Sequence, residues 1–126
     1  MCIRDRLIVS EMARQSVSRI VVCSVVGIGA SSTHLGWFSR SFSGFFLKHA
    51  LTDHQRQEDL ICSSDLDWII FRPPQLVNGE RTETYRLARE TESFNASRVS
   101  RADVAHAMLN AVDSDQWVGQ KLSISN

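Results

Sequence analysis

Two stretches of the chain run apolar without alternation, Ile20 to Val26 and Trp68 to Phe71. A strand written that way is buried on both faces, as in a parallel sheet covered by helices. Around them the apolar residues recur at helical spacing. Leu7, Ile8, Met12 and Ala13, followed by Gln15-Ser16, predict the last turns of a helix over Leu7 to Val17. A second helix begins at Phe45, with Leu47, Leu51, His54, Glu58 and Ile61 along one side. Two polar residues thus sit on the stripe that should face the sheet. Ser100-Arg101-Ala102-Asp103 reads as a capping box, the hydroxyl taking backbone donors while the carboxylate reaches back. Val104, Ala107, Met108 and Ala111 form the buried stripe of the helix it opens. Lys121 to Ser125 alternates, predicting a short closing strand near an edge.

The connections carry their own signals. Gly27-Ile28-Gly29-Ala30-Ser31-Ser32 is a flexible loop, and the segment from there to Gly44 holds Trp37, Phe38 and Phe42 among Ser and Arg. Such a loop either closes over a flat ligand or packs on its own domain. Asp65-Leu66-Asp67 turns the chain into the second buried strand, and Pro73 and Pro74 end it because neither can donate to a ladder. Asn78-Gly79 is a turn, and Glu80 to Ala96 is polar loop with a short extended piece. Helix, strand, helix, strand, helix, strand is the order of an α/β sheet with parallel strands.

Composition removes several function classes. At 126 residues and 43% hydrophobic content the chain can form one globular domain. Fourteen basic residues balance fourteen acidic ones, so no overall field attracts nucleic acid or an anionic membrane. No apolar run approaches the roughly 20 residues of a membrane helix. Cys2, Cys23 and Cys62 lack the paired spacing of a zinc site and fit a reducing cytoplasm. Met1-Cys2-Ile3-Arg4-Asp5-Arg6 fits neither a helix cap nor a strand. It resembles the translation of a transposon-end adapter used in preparing sequencing libraries, so residues 1–6 are expected to be an assembly scar rather than a frayed terminus. Residues 7–126 are then the C-terminal part of a single domain.

The candidate chemistry lies at strand ends. Cys23 and Ser24 close the first buried strand, at the rim where open α/β sheets hold ligands, although a Cys there is equally a small core hydrophobe. Gly27 and Gly29 are too short a glycine motif to be a dinucleotide fingerprint. His54 could pair with Glu58 one turn on, reach a phosphate or ribose, or be a satisfied structural residue. Gln75 and Leu76 follow two prolines on a stiffened loop, a platform for a planar ring. His34, His49 and His106 have no partners at ligand spacing, and no Ser-His-Asp order, paired carboxylates or Tyr-x-x-x-Lys can be assembled.

Leu51-Thr52-Asp53-His54, the helix to Ser64, Leu66-Asp67-Trp68-Ile69-Ile70-Phe71-Arg72-Pro73-Pro74, Thr82-x-x-Tyr85 and Val99-Ser100-Arg101-Ala102-Asp103-Val104-Ala105 occur in one order. That order resembles the C-terminal half of the atypical short-chain dehydrogenases with an NAD(P)H-binding domain, of the biliverdin-IXβ reductase / flavin reductase type and the NmrA-like proteins. The resemblance covers about Leu7 to Ile124. It implies a Rossmann-type doubly wound parallel sheet whose Gly-rich N-terminal half is missing. It also implies NADP or NAD as hydride carrier to a flavin or another flat small-molecule electron acceptor, in a protein that is a monomer when full length. The cofactor-binding positions it implies are Cys23, Ser24, Val25, His54, Pro73, Gln75 and Leu76, with Gln75 where the reductase has a histidine. Ser24 is the one position for a catalytic hydroxyl, and Val25 stands where family members often carry a second.

Three functions follow for comparison. The first is an NAD(P)H-dependent oxidoreductase. The second is a non-catalytic, NmrA-like dinucleotide-binding redox sensor. The third is a fragment without activity of its own, because the phosphate-binding turn belongs to the missing half.

Overall fold

The computed structural model describes residues 3–24, 45–95 and 97–126, with the side chains of the second helix described from residue 52 onward. By contact the chain divides into two compact units, Met1–Ser18 with Gly27–Leu66 and Arg19–Val26 with Asp67–Asn126.

The first unit contains helices α1, Ile3–Arg14, and α2, Phe45–Cys62. Helix α1 includes residues 3–6, although their sequence fits neither a helix cap nor a strand, and Asp5 in its first turn and Arg14 in its last complement the helix dipole. It stops earlier than expected. Val17 N–H donates back to the Met12 carbonyl at 2.9 Å around Ser16, which adopts a left-handed φ of 57°, a Schellman-type ending with serine in the usual glycine position. Gln57 of α2 donates to Asp5 of α1 at 3.2 Å. On the stripe read from α2, Glu58 and Ile61 are buried and His54 is half-buried.

The second unit holds strands β1 (Arg19–Cys23), β2 (Asp67–Arg72), β3 (Gln75–Val77), β4 (Arg86–Arg89), β5 (Arg98–Ser100) and β6 (Gln120–Ser125), with helix α3 (Arg101–Val112) before β6. The main sheet is ordered β1-β2-β6-β4. β1 and β2 are parallel with Cys23 opposite Phe71, and β2 and β6 are parallel with Arg72 opposite Ser123. β4 is antiparallel to β6, so the sheet is parallel-dominated rather than wholly parallel. β3 and β5 form a separate parallel pair.

Alternation along the strands sorts the two faces. Ile69, Phe71, Leu122 and Ile124 are buried with Val104, Ala107 and Ala111 of α3, which makes one core under that helix. Ile70, Arg72, Ser123 and Ala88 fall on the opposite face. Two expectations change here. β1 is half-buried, not buried on both faces, because among the described residues it pairs with β2 alone. β6 lies inside the sheet, because the extended piece in the polar segment is a true strand, β4, paired on its outer side. Its polar alternation is met by hydrogen bonds, the Ser125 hydroxyl accepting from Ser97 N–H at 3.3 Å and donating to the Arg98 carbonyl at 3.2 Å.

Candidate cofactor site

The ladder between β1 and β2 fixes the site. Ser24 N–H donates to the Phe71 carbonyl at 2.7 Å, carrying the pairing one residue past the Cys23–Phe71 rung. Ser24 is therefore the cross-strand neighbour of Arg72, and both stand at the carboxyl ends of parallel strands, where α/β sheets keep their ligands. Ser24 is 2% exposed, and its Oγ is buried with no hydrogen-bond partner among the described residues. A buried hydroxyl left that way costs about 1–3 kcal/mol. Pro73, next along from Arg72, is buried.

Of the two readings of Cys23, rim residue or small core hydrophobe, the second does not hold. Cys23 is exposed, as the alternation that turns Ser24 inward requires, and partial burial of the thiol still pushes its pKa up. Gln75 and Leu76 are also corrected. They belong not to a loop but to the short strand β3, paired with Arg98 and Val99, and both are exposed. The two prolines end β2 as expected, and the extended backbone they impose then finds a second partner in β5. Val25, Val26 and the aromatic segment with Trp37, Phe38 and Phe42 lie outside the described residues, as do His34 and the side chain of His49. In the first unit, His54 Nδ1 is buried without a hydrogen-bond partner among the described residues, so of the alternatives for this residue a pairing with Glu58 is not made through that nitrogen. His106, without a partner at ligand spacing in the sequence, meets the Tyr85 hydroxyl through Nδ1 at 2.9 Å.

Two features were not anticipated as part of this rim. Arg72, whose side chain is 4% exposed, donates from Nη1 to Glu90 Oε1 at 2.7 Å. The capping box is only half formed. Ser100 Oγ accepts Asp103 N–H at 3.0 Å, but the Asp103 carboxylate turns to Thr82, Glu83 and Asn126 instead of reaching back to Ser100. Burial alone would raise the Asp103 pKa. The bonds from Asn126, Glu83 and Thr82 outweigh it and hold the carboxyl far below the usual range. In the sequence, an Asp at the third helical position announced only the cap.

A parallel-dominated sheet with its polar residues at the carboxyl ends is the arrangement of a nucleotide-binding fold, and the profile of the NAD(P)H-binding family matches residues 5–115. The chain belongs to that family. Its cofactor is accordingly NADP or NAD. Among solved structures it resembles ChuY, an anaerobilin reductase from Escherichia coli O157:H7, at 25% identity and a TM-score of 0.79, over 96% of this chain and 56% of that one. A short-chain dehydrogenase/reductase from Veillonella parvula in complex with NADP is 22% identical with a TM-score of 0.76, over 94% of this chain and 55% of that one. A Rossmann-fold NAD(P)-binding family protein from Shigella flexneri is 23% identical with a TM-score of 0.70, over 97% and 52%. The chain thus spans about half the length of these structures. No curated protein sequence matches it significantly. Among the described residues, no helix is long and apolar enough to cross a membrane.

Proposed function

We propose that the chain is part of an NAD(P)H-dependent oxidoreductase that passes hydride to a flavin or another flat organic acceptor, with the ends of β1 and β2 forming the nicotinamide-side wall of its site. The observation that carries this reading is the Ser24 hydroxyl, buried and unpartnered at the carboxyl rim. A polar atom in that condition is satisfied when a ligand group completes its hydrogen bonding. The likeness to a reductase and to an NADP complex supports the same reading.

The residues present fit the reactive end of a dinucleotide. Ser24 offers one donor and one acceptor to a ring substituent. Pro73 holds a fixed φ next to Arg72, and Gln75 presents an amide two residues further on. The cofactor supplies the hydride when bound, and the protein's part is to orient it and exclude water. Ser24 can hold a proton at Oγ. Val25 in the following position leaves no neighbouring hydroxyl in the sequence to relay it.

That valine favours a second reading, a dinucleotide-binding regulator without turnover. The protein encoded by the full reading frame should oxidise NADPH when FMN is supplied, followed by the loss of nicotinamide absorbance, and Ser24→Ala should slow it. Tight NADPH binding with no oxidation, by FMN or by a panel of flat acceptors, would replace the enzyme with the regulator.

A further inference from the structure

One buried carboxylate ties three segments together at the carboxyl rim of β6. Asp103 is fully buried in the first turn of α3. Its Oδ1 accepts Thr82 N–H at 2.8 Å and Glu83 N–H at 3.0 Å, and its Oδ2 accepts the Thr82 hydroxyl at 2.8 Å and Asn126 Nδ2 at 2.8 Å. Capping α3 needs none of these bonds, since Ser100 already satisfies the Asp103 N–H. Their common effect is on the turn, where Glu83 is held at φ 58°, a left-handed conformation that a residue with a Cβ rarely adopts.

The position of that turn gives the clamp a role. Asn126 directly follows β6, and the turn leads into β4, whose first residue Arg86 pairs with Ser125. Thr82 and Glu83 therefore stand beyond the end of β6, two strands from Ser24. Adjacent strands are about 4.8 Å apart, so the end of β6 lies about 10 Å from that of β1 along the same carboxyl rim, with the end of β2 between them. We propose that Asp103 is a positioning residue for the acceptor: by clamping Thr82 and Glu83 it fixes this turn as the β6-side wall of the crevice. The proposal rests on the flat-acceptor reading above. It adds that the wall is built and rigid before ligand arrives, and that its rigidity is set by a residue that does not touch the ligand.

The test uses the full-reading-frame protein with FMN as the probe, in two readouts. Amide hydrogen exchange at Thr82 and Glu83 reports the clamp, and flavin fluorescence quenching reports acceptor binding. Asp103→Asn puts an amide where a carboxylate meets only donors, and it should speed exchange at both amides and weaken FMN at least tenfold while NADPH affinity changes less than twofold. Thr82→Val, which keeps the buried carboxylate and most of its bonds, should move both readouts the same way by a smaller factor. Thr82→Ser, which restores the hydroxyl, should return them to wild type. Faster exchange with unchanged FMN affinity overturns the proposal and leaves Asp103 a purely structural anchor. Unchanged exchange in both Asp103→Asn and Thr82→Val overturns the clamp itself. A wild-type protein that binds NADPH but no FMN removes the flavin-acceptor reading and the acceptor wall with it, while the exchange data still report on the clamp separately.

Discussion

Arg72 and Glu90 are joined across the full width of a strand. Arg72 ends β2, Glu90 follows β4, and Nη1 to Oε1 at 2.7 Å bridges the two over β6, where Ser123 lies opposite Arg72 on one side and Ala88 on the other. The two small side chains under the bridge leave room for a guanidinium on that face. The pair holds the antiparallel strand to the end of β2 that carries Pro73.

Removing the carboxylate tests that bridge. Glu90 is about one-third exposed, so water replaces part of the lost interaction. Glu90→Ala should lower the free energy of unfolding by about 1–2 kcal/mol in urea titration at neutral pH, and Glu90→Gln, which keeps an acceptor oxygen, by less than about 1 kcal/mol. Equal stability of all three proteins would mean that the bridge contributes nothing.

Asp103 should govern acid stability. Its folded pKa is depressed, so the unfolded chain binds the proton first, and the stabilisation is complete above the unfolded carboxylate value of about 3.9. It is lost as pH falls from there toward the folded value. Wild-type stability should therefore decline below about pH 4, while Asp103→Asn, already destabilised by about 2–3 kcal/mol at neutral pH, should show a flatter acid limb. Parallel pH profiles for the two proteins would contradict the depressed pKa.

Arg19 caps the far end of α3. Nη1 donates to the carbonyls of Ala111, Val112 and Ser114 at 3.4, 3.1 and 2.9 Å, and Nη2 pairs with Asp115 at 2.5 Å. Arg19→Ala should cost about 1–2 kcal/mol, and Arg19→Lys should recover less than half, because a single ammonium cannot reproduce the planar fork. Thermal unfolding of the three proteins checks the order.

Ser24→Ala should act in opposite directions with and without cofactor. Removing a buried, unpartnered hydroxyl should leave the free protein as stable or about 1 kcal/mol more stable. In the protein of the full reading frame the same change should weaken NADPH about five- to tenfold, read by fluorescence titration, which is about 1 kcal/mol of lost hydrogen bonding. Unaltered NADPH affinity would take Ser24 out of the site.

Ser16 offers a gain. It sits at φ 57° after α1, where glycine has no Cβ to strain, and Ser16→Gly should stabilise by about 0.5–1 kcal/mol. A Tm below wild type would show that the loop loses more by gaining chain entropy in the unfolded state.

Local pattern alone determined much of this protein. The apolar run 68–71, the stripe from Val104 to Ala111 and the double proline fixed β2, α3 and the end of β2, because burial, helical periodicity and a missing N–H act over a few residues. Ser24 at a strand end was legible for the same reason. The tertiary structure decided what depends on partners distant in sequence. β6 reads as an edge strand until β4 pairs outside it, and Gln75 and Leu76 read as loop until β5 arrives some 20 residues later to receive their hydrogen bonds. Asp103 reads as a cap until Thr82, Glu83 and Asn126 converge on it. A hydrogen bond is satisfied by whichever donor the fold brings nearest, and sequence spacing does not say which that is.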